Sequence, residues 1–267
     1  MINTQVFLGI KYSDFTLQDI ENDIIYNIRN GVKKIVYGYS LTLLPKFKIY
    51  PDIYFNSVKF DYFLTDGKGF YYFLRFFGIK LKNDLSLPDF AELLLNIANE
   101  NNFSVLLLGG EKNSNITATN NLRKKYSNAI ILEGIDGYFG PDKETVIIER
   151  INRANPDIVL IGISSPKKER IAVEWKNKLN AKIIVPCGGV IDIFAGKTKR
   201  EPKIIKILGV TWLYRFFQEP FRLFKPILIS GISVLFGLIP RTIYEVKIKK
   251  NHSYTIPGYY INKFFKN

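Results

Sequence analysis

The chain has 267 residues, 47% of them hydrophobic, with a single cysteine, a single histidine and a formal net charge of +14. That length supports one substantial core plus a small appendage; the lone Cys187 excludes an intramolecular disulfide, and any histidine-based triad or metal site would depend on His252 alone. The charge calls for an anionic partner: nucleic acid, anionic lipid or a phosphorylated substrate.

No basic, apolar, small-residue leader opens the sequence, so the chain is read as cytoplasmic. From the N-terminus, the apolar pattern predicts a strand over 5–10, a helix over 17–29 and strands over 34–37 and 62–65. Helices follow over 68–77 and 88–99. Four short apolar runs, 104–110, 129–134, 157–162 and 182–189, each end in glycine and read as buried parallel strands. Stretches of helical length separate them at 112–126, 142–155 and 167–179. This alternation predicts an α/β fold with a doubly wound, mostly parallel, Rossmann-like sheet over residues 1–195.

After Gly196 the pattern turns basic and aromatic at helical spacing, with Trp212, Leu213, Phe216 and Phe217 beside Arg215 and Arg222. Residues 196–267 are therefore read as a C-terminal, basic, helical appendage. Within it, the uncharged run 226–240 lies between prolines and is shorter than the roughly 20 residues a spanning helix needs. It is expected to lie in a membrane interface or to dock onto the protein's own core or another subunit.

Ligands of open α/β sheets bind beyond the carboxyl ends of the strands, where Gly109, Gly110, Asp136, Gly137, Gly162, Gly188 and Gly189 fall; each glycine could equally do no more than end its strand. A carboxylate is left as the candidate base. Asp66 is the best placed, at the end of the apolar strand Tyr62-Phe-Leu-Thr-Asp-Gly67, although Asp-Gly is also an ordinary turn. Arg75 reaches a phosphate only if the helix after Asp66 borders the cleft. Arg215, Arg222 and Lys225, spaced by seven and three, form either a diphosphate clamp along one helix side or a solvated basic face. Two other functions stand beside a transferase. A basic RNA-binding module suits the interleaved aromatics but has no recognisable signature; a nucleotide-dependent oxidoreductase lacks a Gly-x-Gly-x-x-Gly after the first strand.

Several motifs together resemble the WecG/TagA/CpsF family of bacterial glycosyltransferases, from Tyr62 through Lys225. They are Thr65-Asp-Gly67 with Arg75; Leu107-Leu-Gly-Gly110; Gly134-Ile-Asp-Gly-Tyr-Phe139; Asn155-Pro-Asp157; Gly162-Ile-Ser-Ser-Pro-Lys-Lys-Glu169; Cys187-Gly-Gly-Val-Ile-Asp192 with Ala195-Gly-Lys197; and Leu208-Gly-Val-Thr-Trp-Leu-Tyr-Arg-Phe-Phe-Gln-Glu-Pro-Phe-Arg222. The resemblance implies an inverting, metal-independent transfer of an N-acetylmannosamine-type hexose, with no further cofactor. The donor is a UDP-sugar, the acceptor the 4-hydroxyl of a sugar on a polyprenyl diphosphate, and the product feeds cell-surface polysaccharide or teichoic acid. It implies Asp66 as the base, Asp192 in the donor pocket and Arg215, Arg222 and Lys225 on the lipid diphosphate. The setting it implies is peripheral, on the anionic inner face of the cell membrane, with no nucleic acid partner; a homo-oligomer is compatible. Lys168 stands where the family has glutamine and is expected to help stabilise the departing diphosphate. Gly38 and Ser40 fall where the family has Thr-x-Asn.

Overall fold

The computed structural model describes residues 2–261, apart from the side chains of Arg222, Leu223, Lys225, Pro226 and Ile227. It opens with an antiparallel hairpin, β1 (Asn3–Phe7) and β2 (Ile10–Asp14), turning on Leu8 and Gly9, both at positive φ. The single strand expected over 5–10 therefore contains the turn and the first residue of a second strand. A two-residue hairpin turn with both φ values positive matches the strand twist, but Leu-Gly is a weak sequence signal for it.

The main sheet is parallel throughout, in the order β4-β3-β8-β7-β5-β6. Its strands are β3 (Lys34–Tyr39), β4 (Tyr62–Thr65), β5 (Ser104–Gly109), β6 (Ile130–Ile131), β7 (Ile158–Gly162) and β8 (Ile183–Pro186). Strand residues are apolar at successive positions because both faces are covered. Tyr37, Leu106, Val159 and Ile184 face one layer, with Trp175 at its centre; Val36, Val105, Leu160 and Val185 face the other. The helices are α1 (Leu17–Arg29), α2 (Pro51–Ser57), α3 (Lys68–Phe76), α4 (Leu87–Asn101), α5 (Lys112–Lys125), α6 (Glu144–Ala154) and α7 (Lys167–Trp175). Helices α1, α4 and α5 cover the second face, and α2, α6 and α7 the first. Thr16 and Ser86 start α1 and α4 with capping boxes closed by Asp19 and Asp89. The sequence reading thus holds for the doubly wound α/β sheet, while the strand expected over 129–134 shrinks to the pair Ile130–Ile131 at the sheet edge.

Beyond the short α8 (Val190–Phe194), α9 (Lys203–Ile207) and α10 (Thr211–Gln218) lead into α11 (Pro220–Ile232). Helix continues through π turns Ser233–Leu238, α12 (Ile239–Ile243) and π turns Tyr244–Ile248. The apolar run therefore does not stop at Pro240: the wider π turns on either side accommodate a ring that removes one backbone donor. The resulting stretch Leu228–Ile248 has 21 residues at mean hydropathy 1.3 and is long and apolar enough to cross a membrane by length and composition alone. One stripe of it, Ser230, Val234, Leu238, Thr242 and Glu245, is nevertheless buried against the protein. Leu238 joins the first core layer with Ile256 and Ile261, the latter two in α13 (Ile256–Ile261), which packs on the 3-10 turn Leu44–Lys48.

The appendage is tied to the core by ion pairs at the start of α4. Asp89 accepts from Arg200 and, at 2.6 Å, from Lys206, while Arg200 also reaches Glu92 at 2.7 Å. Burial pushes the Asp89 carboxyl up, but hydrogen bonds from Lys206 and Ser86 and the Lys206 and Arg200 charges outweigh it and hold the pKa below the usual carboxylate value. Because the folded-state pKa is the lower one, the stabilisation is complete above the unfolded value and is lost as pH falls through the folded one. Asp89→Asn is expected to cost about 2 kcal/mol, since it leaves Lys206 without its counter-charge. Urea unfolding near neutral pH measures the loss, and the variant should show a smaller decline in stability on acidification than wild type, because Asp19 and Asp52 still contribute theirs.

Candidate active site

Connections from β5 and β7 diverge: β5 feeds α5 on one face and β7 feeds α7 on the other, so a crevice opens beyond their carboxyl ends. Glycines let three chain segments meet there. Gly109 and Gly162 are register partners, and a Cβ on Gly109, at φ +132°, would lie 2.4 Å from the Gly162 carbonyl oxygen. Gly137 donates to the Gly110 carbonyl at 2.9 Å, and its own Cβ position is 2.9 Å from the Gly109 Cα. Asp136 accepts from the Tyr138 backbone at 3.1 Å. These residues border the crevice, but none lines the cavity beside it.

That cavity, 410 Å³ in volume, opens where the ends of β3 and β4 meet those of β7 and β8. Its lining includes Gly38, Ser40, Thr42 and Lys46 on one side and Ser164, Ser165, Lys168, Glu169, Gly188 and Gly189 on the other, with Asp66 at the β4 end. Of the residues expected from sequence, Asp66, Lys168, Gly188 and Gly189 thus share one cleft. Asp192 lies in the turn of helix that follows Gly189, outside the lining.

Local structure fixes Asp66 in two ways. Its backbone N–H donates to the Tyr39 carbonyl at 2.8 Å, which extends the β3–β4 ladder by one bond. One carboxylate oxygen accepts from the Leu87 backbone N–H at 3.1 Å, the first residue of α4. Gly38 makes this approach possible: a Cβ there would lie 2.6 Å from the Leu87 side chain and 3.2 Å from the Asp66 Cβ. The second carboxylate oxygen has no hydrogen bond among the described residues. In that state the carboxylate can take a proton from a hydroxyl that enters the cleft.

Opposite Asp66, Lys168 donates to the Pro186 carbonyl at 3.1 Å and lies 3.6 Å from a carboxylate oxygen of Glu169. Glu169 is 3% exposed, and its other carboxylate oxygen is buried without a partner, as is the Ser165 hydroxyl. Burial pushes the Cys187 thiol up to about 12, so it remains neutral and inert beneath the cleft. Among the described residues, no group of His, Cys, Asp or Glu is placed to hold a metal ion.

The basic residues expected to bind diphosphate are not carried by one continuous helix. Helix α10 ends at Gln218, Glu219 adopts a non-helical φ of −138°, and α11 begins at Pro220, as expected for a residue before proline. Arg215 is therefore on one helix and the backbones of Arg222 and Lys225 on the next; the side chains of Arg222 and Lys225 lie outside the described residues. Arg75 is exposed on α3 and donates to the Tyr71 hydroxyl at 3.0 Å rather than lining the cavity. Sequence reasoning missed Lys46, Ser165 and Glu169. Glu169 sits in a quoted motif without a role, and the one signal for Lys46 is a lysine inside the apolar stretch Leu43-Leu-Pro-Lys-Phe47.

The model of the glycosyl transferase WecG/TagA/CpsF family matches residues 5–246 of the chain. Among curated proteins, the N-acetylglucosaminyldiphosphoundecaprenol N-acetyl-beta-D-mannosaminyltransferase of Bacillus subtilis (strain 168) is 28% identical over 182 residues, 64% of this chain and 70% of that relative.

Proposed function

Since the chain belongs to the WecG/TagA/CpsF family of glycosyltransferases, we propose that it moves an N-acetylmannosamine-type hexose from a UDP-sugar to a sugar carried on a polyprenyl diphosphate, with inversion at the anomeric carbon. The observation that carries this reading is the placement of Asp66, held by the Leu87 N–H at one oxygen and facing a cleft shared with Lys168, Gly188 and Gly189. In the proposed step Asp66 takes the proton of the acceptor hydroxyl as its oxygen bonds to the anomeric carbon. The bond from that carbon to the diphosphate breaks on the opposite side, and its electron pair leaves with UDP. Lys168 offsets the charge that develops there. The family assignment leaves the RNA-binding and oxidoreductase readings without support.

The appendage suits a lipid-borne acceptor. Ile204 and Ile207 on α9, Leu208 just after it, Trp212 and Phe217 on α10 and Phe221 at the start of α11 are all exposed, Phe221 fully. An apolar surface of that kind on a basic segment fits docking on the inner face of the membrane, where the polyprenyl chain is anchored. The relative's name describes mannosaminyl transfer to N-acetylglucosaminyl-diphospho-undecaprenol, which makes that acceptor the first to try. Incubating the protein with a panel of UDP-sugars and this acceptor should release UDP with the N-acetylmannosamine donor. Turnover with a different UDP-sugar would reassign the donor, and no turnover with any of them would overturn the reading.

A further inference from the structure

Lys46 enters the cleft from the 3-10 turn Leu44–Lys48, between Leu44 and Phe47, which are both fully buried. It lines the same cavity as Asp66, Lys168, Glu169 and Gly188. No hydrogen bond or ion pair holds its ammonium among the described residues. Burial lowers its pKa; the Glu169 carboxylate opposes that shift and Lys168 reinforces it. A largely desolvated cation beside another cation, with one shared carboxylate, is costly to keep in a fold. The cost is offset if an anionic ligand completes the set, and a ligand with two or more charges suits two lysines.

We infer that Lys46 binds the anionic leaving group of the donor, closing with Lys168 on the diphosphate from opposite sides of the cleft. Glu169 positions Lys168, 3.6 Å from its carboxylate, and its charge also favours the ammonium form of Lys46. During transfer the pair of lysines supplies the positive charge that the breaking bond sends electrons toward, and no proton needs to move to the leaving group. The inference rests on the nucleotide-sugar reading above and adds to it the residue that discriminates diphosphate from the bare nucleoside.

Calorimetric titration of wild type, Lys46→Met and Lys46→Arg with UDP, uridine and inorganic pyrophosphate tests it. Lys46→Met should weaken UDP and pyrophosphate about 10- to 100-fold, the range of a lost charge-assisted contact, and leave uridine unchanged. Lys46→Arg should recover part of the loss. Because Lys46→Met removes no hydrogen bond or ion pair and burial disfavours the charge it deletes, the melting temperature should not fall. Unchanged UDP and pyrophosphate affinity, or equal weakening of all three ligands with a lower melting temperature, would overturn the inference and leave the UDP-sugar reading in place. If pyrophosphate binds in a Lys46-dependent way and UDP does not bind at all, the UDP reading falls and the anion subsite stands. Wild type that binds neither overturns both.

Discussion

Asp66→Asn is expected to lower turnover by about 10³-fold while leaving the fold and nucleotide binding unchanged. The amide has the shape of the carboxylate and keeps an oxygen for the Leu87 N–H, so α4 and the end of β4 stay in register. What it lacks is a lone pair basic enough to take the acceptor proton, and a positioned base typically contributes 10²- to 10⁴-fold to a transfer of this type. The change corresponds to about 4 kcal/mol in the activation barrier. UDP release measured with the lipid-linked acceptor gives the rate, and calorimetry with UDP gives the binding. Retained turnover would remove Asp66 as the base; a parallel loss of UDP affinity would show that the substitution disturbs the cleft rather than the proton transfer. Gly38→Ala offers a complementary perturbation, since its Cβ would crowd Leu87 and the Asp66 Cβ while the carboxylate itself is retained.

How much of this site the sequence discloses follows from which contacts are local. The strand ends are legible because apolar runs stop at Thr65, Gly109, Gly162 and Pro186, and parallel strands buried on both faces leave that pattern directly in the chain. Asp66 is legible for the same reason, as the first polar residue past β4. Its partner is not, because the Leu87 N–H comes from a helix start 21 positions away. Lys46 is hidden for a related reason. In sequence it is one of 38 lysines and arginines, and only the packing of the 3-10 turn against α2 and α13 turns it into the cleft. The hairpin of β1 and β2 escaped because its turn depends on positive φ at Leu8, which a leucine does not advertise. Helix through Pro240 escaped because proline ordinarily ends a helix, and the π turns that accommodate it leave no mark in the residue pattern.

The appendage gives the second large effect. Deleting everything after Ala195 would be a poor test of membrane docking, because Leu238, Tyr254, Ile256 and Ile261 are buried in the core layer that also holds Leu44 and Phe47. Point changes on the outer surface avoid this. Phe217, Phe221 and Phe224 are 74%, 100% and 57% exposed, and Phe216 links two of them, its ring 5.9 Å from Phe217 and 6.4 Å from Phe224. Removing an aromatic ring from water is worth about 1.5–3 kcal/mol, and partial insertion into an interface recovers a fraction of that for each ring. The triple variant Phe217→Ser, Phe221→Ser and Phe224→Ser is therefore expected to bind anionic vesicles about 100-fold more weakly than wild type in sedimentation. Its melting temperature should be unchanged, and so should its turnover of an acceptor whose lipid is short enough to be water-soluble. Raising salt separates the two contributions, because the basic residues act through a screened field and the rings do not. Wild type should keep residual binding at high salt that the triple variant lacks. Equal sedimentation of the two proteins would place the membrane contact elsewhere on the chain, and loss of turnover on the soluble acceptor would instead make these rings part of the acceptor site.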